Sequence, residues 1–500
     1  MSANASGPDG RVLLHQANLA SLPPAVARPT YVRERLRPAI VHFGVGGFHR
    51  AHQAVYLDDL AERRISTDWA EQGIGLLPGD RRMAEALIPQ DCLYTVVERS
   101  EAADRARVIG SLRGYTFAPD DPGRVLELLA DPATRIVSLT ITEGGYLVDD
   151  KTGVFDATHP AIQQDVDQHA PRTVFGYIVA GLERRRAAGI PPYTVMSCDN
   201  LQGNGSIART AVVSFARLGD ASLAAWIDAN VGFPNAMVDR ITPQTTDVDR
   251  AMVAETFGMV DAWPVVTEPF RQWVLEDRFG NGRPPLEEVG VQIVTDVHPY
   301  ETMKLRLLNG SHQAMAYLGY LAGYRYAHEV IGDQDFVSFL TRMMDVEVTP
   351  LLPPVAGIDL AGYKRTLLER FGNPKIADTL ARLATDGSDR MPKFVLPSLA
   401  EALAEGRPHR LLTLVVAGFC RYLRGVDEQA QPITLQDGRA DELSRLANQS
   451  QTDPRPLLAV RRVFGDLGQN AAWVAELTDA RRELDTLGAR ATVRAAVAPS

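Results

Sequence analysis

The run Tyr300-Glu301-Thr302-Met303-Lys304-Leu305-Arg306-Leu307-Leu308-Asn309-Gly310-Ser311-His312 holds the residue types best suited to chemistry in this chain. Oxidising a carbinol to a carbonyl needs a base for the hydroxyl proton, donors for the transient alkoxide and a fixed hydride acceptor. A lysine serves as that base once desolvation or a nearby cation lowers its pKa. An asparagine amide donates to an alkoxide without adding a titrating group, and a histidine can orient the substrate oxygen. At about 100° per residue of helix, Lys304 and His312 lie about 80° apart, and Asn309 and His312 about 60°. One broad face then carries all three. Asn309-Gly310 weakens a helix, so a bend is expected there, with Ser311 capping the next helical segment. Taken alone, the spacing equally fits an amphipathic helix with a surface lysine.

A second chemical signal lies near the start. Gly44-Val45-Gly46-Gly47-Phe48-His49-Arg50 follows the strand candidate Ala39 to Phe43 and opens the helical stretch Arg50 to Arg64. Glycines there let the backbone turn tightly and approach a pyrophosphate. The third glycine of a full GxGxxG falls at His49, so the match is incomplete, and the strand-before, helix-after context carries it. Gly44, Val45, Gly46, Gly47 and Phe48 are the expected dinucleotide contacts. A carboxylate for the ribose is expected at the end of the second strand, where Gly75-Leu76-Leu77-Pro78-Gly79-Asp80-Arg81-Arg82 stands. Asp80 suits a free 2′-hydroxyl and therefore NAD; Arg81 or Arg82 would suit NADP. The balance favours NAD, with Asp80 as a plain turn residue the competing reading. His49 and His52 have an HxxH look, but without a nearby acid or thiol a helix-face or cofactor-contact role outweighs metal ligation. No metal is expected.

These residues need a frame. In the first half, short apolar runs (Glu71 to Leu77, Arg135 to Thr142, Tyr193 to Ser197) alternate with helical patterns such as Phe175 to Ala188. That alternation predicts βαβ units and a doubly wound parallel sheet. Beyond about residue 300, helical periodicity dominates: Ser311 to Tyr324, Gln334 to Asp345, Leu360 to Phe371, Leu396 to Leu403 and Leu411 to Tyr422. The expected class is α/β, with a dinucleotide-binding domain over 1–288 and a mostly helical domain over 289–500. The formal net charge of -10 argues against nucleic acid as the main partner. The three cysteines are scattered, which fits a reducing compartment. Neither a signal-peptide pattern nor a membrane-length apolar run is seen, so a cytoplasmic location is expected.

Beyond single residues, VHFGVGGFHRAHQ, SLTITEGGY, TVMSCDNLQGNG, FPNAMVDRITP, DAWPVVTEPF, QWVLED, PYETMKLRLLNGSH and IADTLARLATDGS occur in this order. Together they resemble the long-chain mannitol dehydrogenase family of polyol-specific dehydrogenases, over nearly the whole chain. The resemblance implies a Rossmann-type N-terminal domain, a helical C-terminal domain, a metal-free active site in the cleft between them, and a plausible monomer. It implies Lys304 as the acid/base, Asn200 and Asn309 as the pair holding the reacting oxygen, and His312 as a substrate-orienting residue. Asp239 and Arg382 match substrate-hydroxyl contacts, against the plainer readings of a surface turn carboxylate and a helix-face salt bridge. Glu301, one turn before Lys304, suits a proton relay to solvent; an i,i+3 ion pair is the alternative. Arg390 and Lys393 follow near the cleft in the family. The implied reaction is reversible oxidation of D-mannitol to D-fructose with NAD. D-arabinitol, D-glucitol or a hexuronate are other substrates for the same chemistry, and a non-catalytic dinucleotide sensor is the remaining reading.

Overall fold

The computed structural model describes residues 10–149, 152–168 and 171–498. Residues 1–9, part of the N-terminal stretch read above for a leader, lie outside the described residues. The chain divides into two compact units, Met1–His298 and Pro299–Ser500. The first extends ten residues past the boundary expected at 288, because a strand formed after that point still pairs within it.

Five parallel strands form the sheet of the first unit: β1 (Pro38–Phe43), β2 (Ala70–Gly75), β3 (Leu112–Phe117), β4 (Ile136–Leu139) and β5 (Thr194–Ser197). Their spatial order is β3-β2-β1-β4-β5, so the strand order reverses between β1 and β4. In doubly wound sheets the ligand crevice opens beyond the strand carboxyl ends at that reversal. The strand β1 is almost wholly buried, as its near-continuous apolar run requires of a central parallel strand. Its side chains alternate in direction. Val41 and Phe43 pack with the helices α3 (Pro122–Ala130), α4 (Val174–Ala187) and α5 (Asn204–Gly219). Ile40 packs with Tyr56 and Leu60 on the opposite side. Helix α4 starts where Thr173 accepts from the Gly176 amide, and Arg184, Arg185 and Arg186 fill its last turn, where the helix dipole favours cations.

The helical stretch predicted over Arg50 to Arg64 is two pieces, α1 (Gly47–Ala51) and α2 (Gln53–Glu62), broken at His52 with φ -119 and ψ -86. A smaller sheet holds β6 (Ala236–Asp239), β7 (Gln272–Glu276) and β8 (Gln292–Val294), with β6 antiparallel and β8 parallel to β7. Pairing of β8 is what carries the first unit past residue 288. A four-stranded sheet of Val26–Ala27, Tyr94–Arg99, Asp104–Ile109 and Val265–Thr267 completes this unit's strand layers, together with the short pair Val12–Leu13 and Met259–Val260.

The second unit is helical, with one large core in which Tyr317, Phe419 and Trp473 are buried. Its first helical run passes from α6 (His298–Met303) through a π-helical stretch, Lys304–Asn309, into α7 (Gly310–Ala314) and a second π stretch, Met315–Gly319. Later come α8 (Leu380–Ala384), α9 (Gly387–Phe394), α10 (Arg410–Tyr422) and α11 (Ala471–Leu487). Trp473 of α11 donates its indole N–H to Thr413 of α10 at 3.1 Å, so the largest apolar side chain between these helices also satisfies its polar atom. No helix of the described residues is long and apolar enough to cross a membrane.

Candidate active site

The glycine turn sits at the carboxyl end of β1, and its glycines have different causes. Gly44 adopts φ +90, and a Cβ there would lie 2.1 Å from the Thr140 carbonyl oxygen. Both facts come from the fold itself: the turn leans on the loop after β4. Gly46 and Gly47 have no such constraint, since a Cβ added at either would find its nearest atom 3.7 or 3.6 Å away. The protein leaves them bare without needing to, which suits close backbone approach by a pyrophosphate. Val45 turns its side chain into the core with Met83 and Leu87, so only its backbone can serve a ligand. Phe48 is half-buried and stacks on His52 at 4.9 Å between ring centres.

His49 overturns one expectation. It does have an acidic neighbour: its Nε2 lies 2.9 Å from Glu71 Oε1 on β2, with both side chains fully buried. Gln53 donates to the same oxygen at 2.8 Å and to Ser138 at 2.9 Å. His42 stacks on His49 with ring centres 3.5 Å apart and planes 11° from parallel. One ligand atom each of His42, His49 and Glu71 lies within 4.8 Å of the others, a spacing that could hold a metal ion, and all three side chains are buried. Burial drives the His49 imidazole down to about 3, and burial pushes the Glu71 carboxyl up to about 7. Around neutrality the imidazole is therefore uncharged. His42 reaches Thr140 Oγ1 at 3.0 Å and Ser138 Oγ at 2.8 Å, tying β1 to β4 beneath the turn. His52 is also core: its Nε2–H donates to the Gln272 carbonyl at 2.8 Å. Neither His49 nor His52 is exposed to a cofactor.

Beyond β2, Asp80 folds back on its own turn, with Oδ2 accepting from the Leu76 and Leu77 amides at 2.9 Å each. Among the described residues its Oδ1 has no such task. Arg81 is held in a two-pronged pair with Asp120 at 3.0 and 2.7 Å, and its guanidinium lies 4.6 Å from the Phe117 ring centre. Arg82 lies over Trp263.

At the end of β5 the SCDN segment places Asp199 inside and Asn200 outside. Asp239 is buried at the end of β6, where its register partner is Gln272, so it is a strand-end carboxylate and not a surface turn.

In the second unit Lys304 is 6% exposed, and Glu301 and His312 are equally buried. The helix does not break at Asn309-Gly310, and Ser311 is no cap: it sits within α7. Instead the run widens to π geometry, with the Gly310 amide reaching the Leu305 carbonyl five residues back. The wider turn changes the angular spacing expected from an α-helix, and π turns inside α-helices are frequent at functional sites. Gly310 has a packing reason as well, since a Cβ there would press to 3.2 Å from the Phe394 carbonyl of α9. The Asn309 side-chain carbonyl is buried with no hydrogen-bond partner among the described residues. Such an orphan costs free energy unless something else satisfies it, and a substrate hydroxyl has the right chemistry. Arg382 carries the helix-face ion pair, using Nε and Nη2 on Asp378 at 2.6 Å each. Arg390 donates to the Arg382 and Leu383 carbonyls, and Lys393 is exposed on α9.

Sequence reasoning missed Glu71, His42, Asp199 and Tyr146. Glu71 lies on a strand with no motif of its own, and His42 lies inside VHFGVGGFHRAHQ without a role of its own there. The last two lie inside segments already singled out, SCDN and TEGGY, but their meeting is invisible along the chain.

Residues 38–288 match the mannitol dehydrogenase Rossmann domain, and residues 296–485 the mannitol dehydrogenase C-terminal domain. The chain is 49% identical over 483 residues to mannitol 2-dehydrogenase of Aspergillus fumigatus, covering 94% of this chain and 96% of the relative. The Phaeosphaeria nodorum mannitol 2-dehydrogenase is also 49% identical, over 96% of this chain and 85% of its own length. Among solved structures, the Pseudomonas fluorescens mannitol 2-dehydrogenase ternary complex with NAD and D-mannitol is 47% identical. It aligns with a TM-score of 0.87 over 97% of this chain and 99% of its own. A D-sorbitol dehydrogenase in substrate-free form is 37% identical, with a TM-score of 0.90 over 96% of this chain and all of its own.

Proposed function

The chain belongs to the mannitol dehydrogenase family, and from that premise we propose that it oxidises D-mannitol reversibly to D-fructose with NAD, using Lys304 as acid/base. The observation that carries this reading is a buried lysine on a π-wound turn, followed in the same run by Asn309 and by buried His312. Burial disfavours the ammonium form of a lysine, which is what a base needs.

In this reading Gly44 to Phe48 cradle the dinucleotide, with Gly46 and Gly47 giving the pyrophosphate its closest approach. NAD, when bound, accepts a hydride from the carbinol carbon. Neutral Lys304 takes the hydroxyl proton. The Asn200 and Asn309 amides donate to the oxygen as it gains charge, and His312 orients it. Asp239 and Arg382 bind the remaining hydroxyls. Glu301, one turn before Lys304, passes the proton on to solvent. In the reverse direction the Lys304 ammonium returns it. Asp80 with its uncommitted Oδ1, and Arg81 engaged by Asp120, favour a free ribose 2′-hydroxyl over a 2′-phosphate.

The likeness to D-sorbitol dehydrogenase gives a second reading, the same chemistry on D-glucitol. Initial rates with D-mannitol, D-glucitol and D-arabinitol, each with NAD and NADP, separate the two. D-mannitol with NAD is expected to give the highest kcat/KM. Lys304→Ala should lower kcat by about 1,000-fold or more, in the range of lost general-base catalysis, while NADH binding persists. Turnover within tenfold of the parent would remove Lys304 from the base role.

A further inference from the structure

The loop after β4 contains a conformation that the chemistry above does not use. Thr142 is exposed, β-branched and set at φ 65 and ψ 166, a region that is almost the preserve of glycine. Gly144 and Gly145 stand two and three residues on, yet the positive φ falls on the threonine. Leu147 closes the loop with a second positive φ, 54.

One buried carboxylate holds this loop at both ends. Asp199 Oδ1 accepts from the Thr142 amide at 2.9 Å, and Oδ2 accepts from the Ile141 amide at 3.0 Å. The Tyr146 hydroxyl donates to the same Oδ2 at 2.7 Å and lies 2.6 Å from Ser197 Oγ. Burial pushes the Asp199 carboxyl up to about 6, with the Tyr146 and backbone hydrogen bonds opposing the rise, so in an assay at pH 8 it is ionised. The backbone is anchored as well. The Asp199 carbonyl accepts from Asn204 Nδ2 at 2.9 Å, and Asn204 exchanges two further hydrogen bonds with Ala236, at the start of β6. On the other side, Thr140 Oγ1 donates to the Gly44 carbonyl at 2.7 Å. Asp199 thus stands between the glycine turn, the strained loop and its own neighbour, Asn200.

We propose that Asp199 is a positioning residue that clamps the strained Thr142 peptide and thereby fixes the backbone that aims Asn200 at the reacting oxygen. The proposal rests on the role given to Asn200 above. Releasing the clamp lets Thr142 relax to negative φ, which frees the 140–146 loop and the segment that bears Asn200. An alkoxide donor that wanders costs turnover more than it costs binding.

The test uses full-length Asp199→Ala, Asp199→Asn, Thr142→Gly and Asn200→Ala, and each Asp199 variant combined with Thr142→Gly. Asp199→Ala should lower kcat about 100-fold, the scale of a misplaced catalytic group, while the polyol KM and NADH affinity stay within about threefold. Asp199→Asn keeps the shape but turns an N–H toward an N–H, and should fall similarly; it stands in if the alanine variant does not fold. Thr142→Gly alone should keep kcat within about twofold, because glycine takes this conformation freely. The decisive result is rescue: adding Thr142→Gly to either Asp199 variant should recover kcat at least tenfold. Because the glycine also relieves strain, urea midpoints are read beside kcat: a carboxylate that only stabilised the fold would lower the midpoint of Asp199→Ala but leave parental kcat in the folded enzyme. Equal kcat in the parent and Asp199→Ala, or no gain from the glycine, overturns the proposal. Full turnover in Asn200→Ala overturns instead the role assigned to Asn200, whatever the Asp199 variants do.

Discussion

Two loops leave adjacent parallel strands of the same sheet and hold tight backbone in opposite ways. After β1, Gly44 reaches φ +90 by having no side chain, and the close Thr140 carbonyl occupies the space a Cβ would need. After β4, Thr142 reaches φ 65 with its side chain in place and relies on Asp199 to hold it there. The first device is local and cannot be released. The second depends on a carboxylate 57 residues away and can be switched off by one substitution. A geometry imposed by clamp is a place where precision is maintained from a distance, and it lies beside Asn200.

The largest expected effect tests the first loop. Gly44→Ala combines a backbone clash with positive φ and should destabilise the protein by more than about 3 kcal/mol, read from urea unfolding. Gly46→Ala should leave that unfolding curve in place yet weaken NADH at least about tenfold in a fluorescence titration, because only a ligand is crowded. If both variants unfold alike, the division of labour between the glycines is wrong.

A smaller effect concerns the floor under both loops, where His42 bridges toward Thr140 and His49 meets Glu71. Burial raises the Glu71 carboxyl from 4.5 to about 7, so folding favours its protonated form. Its contribution is present below about pH 4.5 and is lost as the pH rises through about 7, up to about 3 kcal/mol. Glu71→Gln removes that loss. The difference in urea midpoint should therefore move in favour of the variant from pH 5 to pH 8. Parallel profiles would show that Glu71 does not titrate in this window.

The smallest effect sharpens the contrast itself. Thr142→Gly removes strain of about 1–3 kcal/mol but adds unfolded-state entropy of about half to one, so a net gain near 1 kcal/mol is expected. A loss of stability would mean that Thr142 is not strained.

Much of the frame was legible because its causes are local. The alternation of short apolar runs with helical patterns located β1, β2, β4, β5 and α4 to within a few residues, and Leu360 to Phe371 is helical over that whole span. The first compact unit runs to His298, past the Rossmann-domain match that ends at 288, because β8 pairs with β7, a relation no composition shift announces. The bend at Asn309-Gly310 was a sound local inference that packing overrode: α9 approaches Gly310, and the run widens into a π turn without breaking.

By itself the sequence determined where the glycine turn stands and which lysine, asparagines and histidine share one run or ordered motif with chemistry in reach. Those residues lie close together in the chain or within ordered motifs. Only the tertiary structure decided that His49 pairs with Glu71, that Asp239 is buried, and that Asp199 restrains Thr142. Each of these depends on burial or on a hydrogen bond between residues far apart in the chain, and such partners are chosen by packing, which no local spacing encodes.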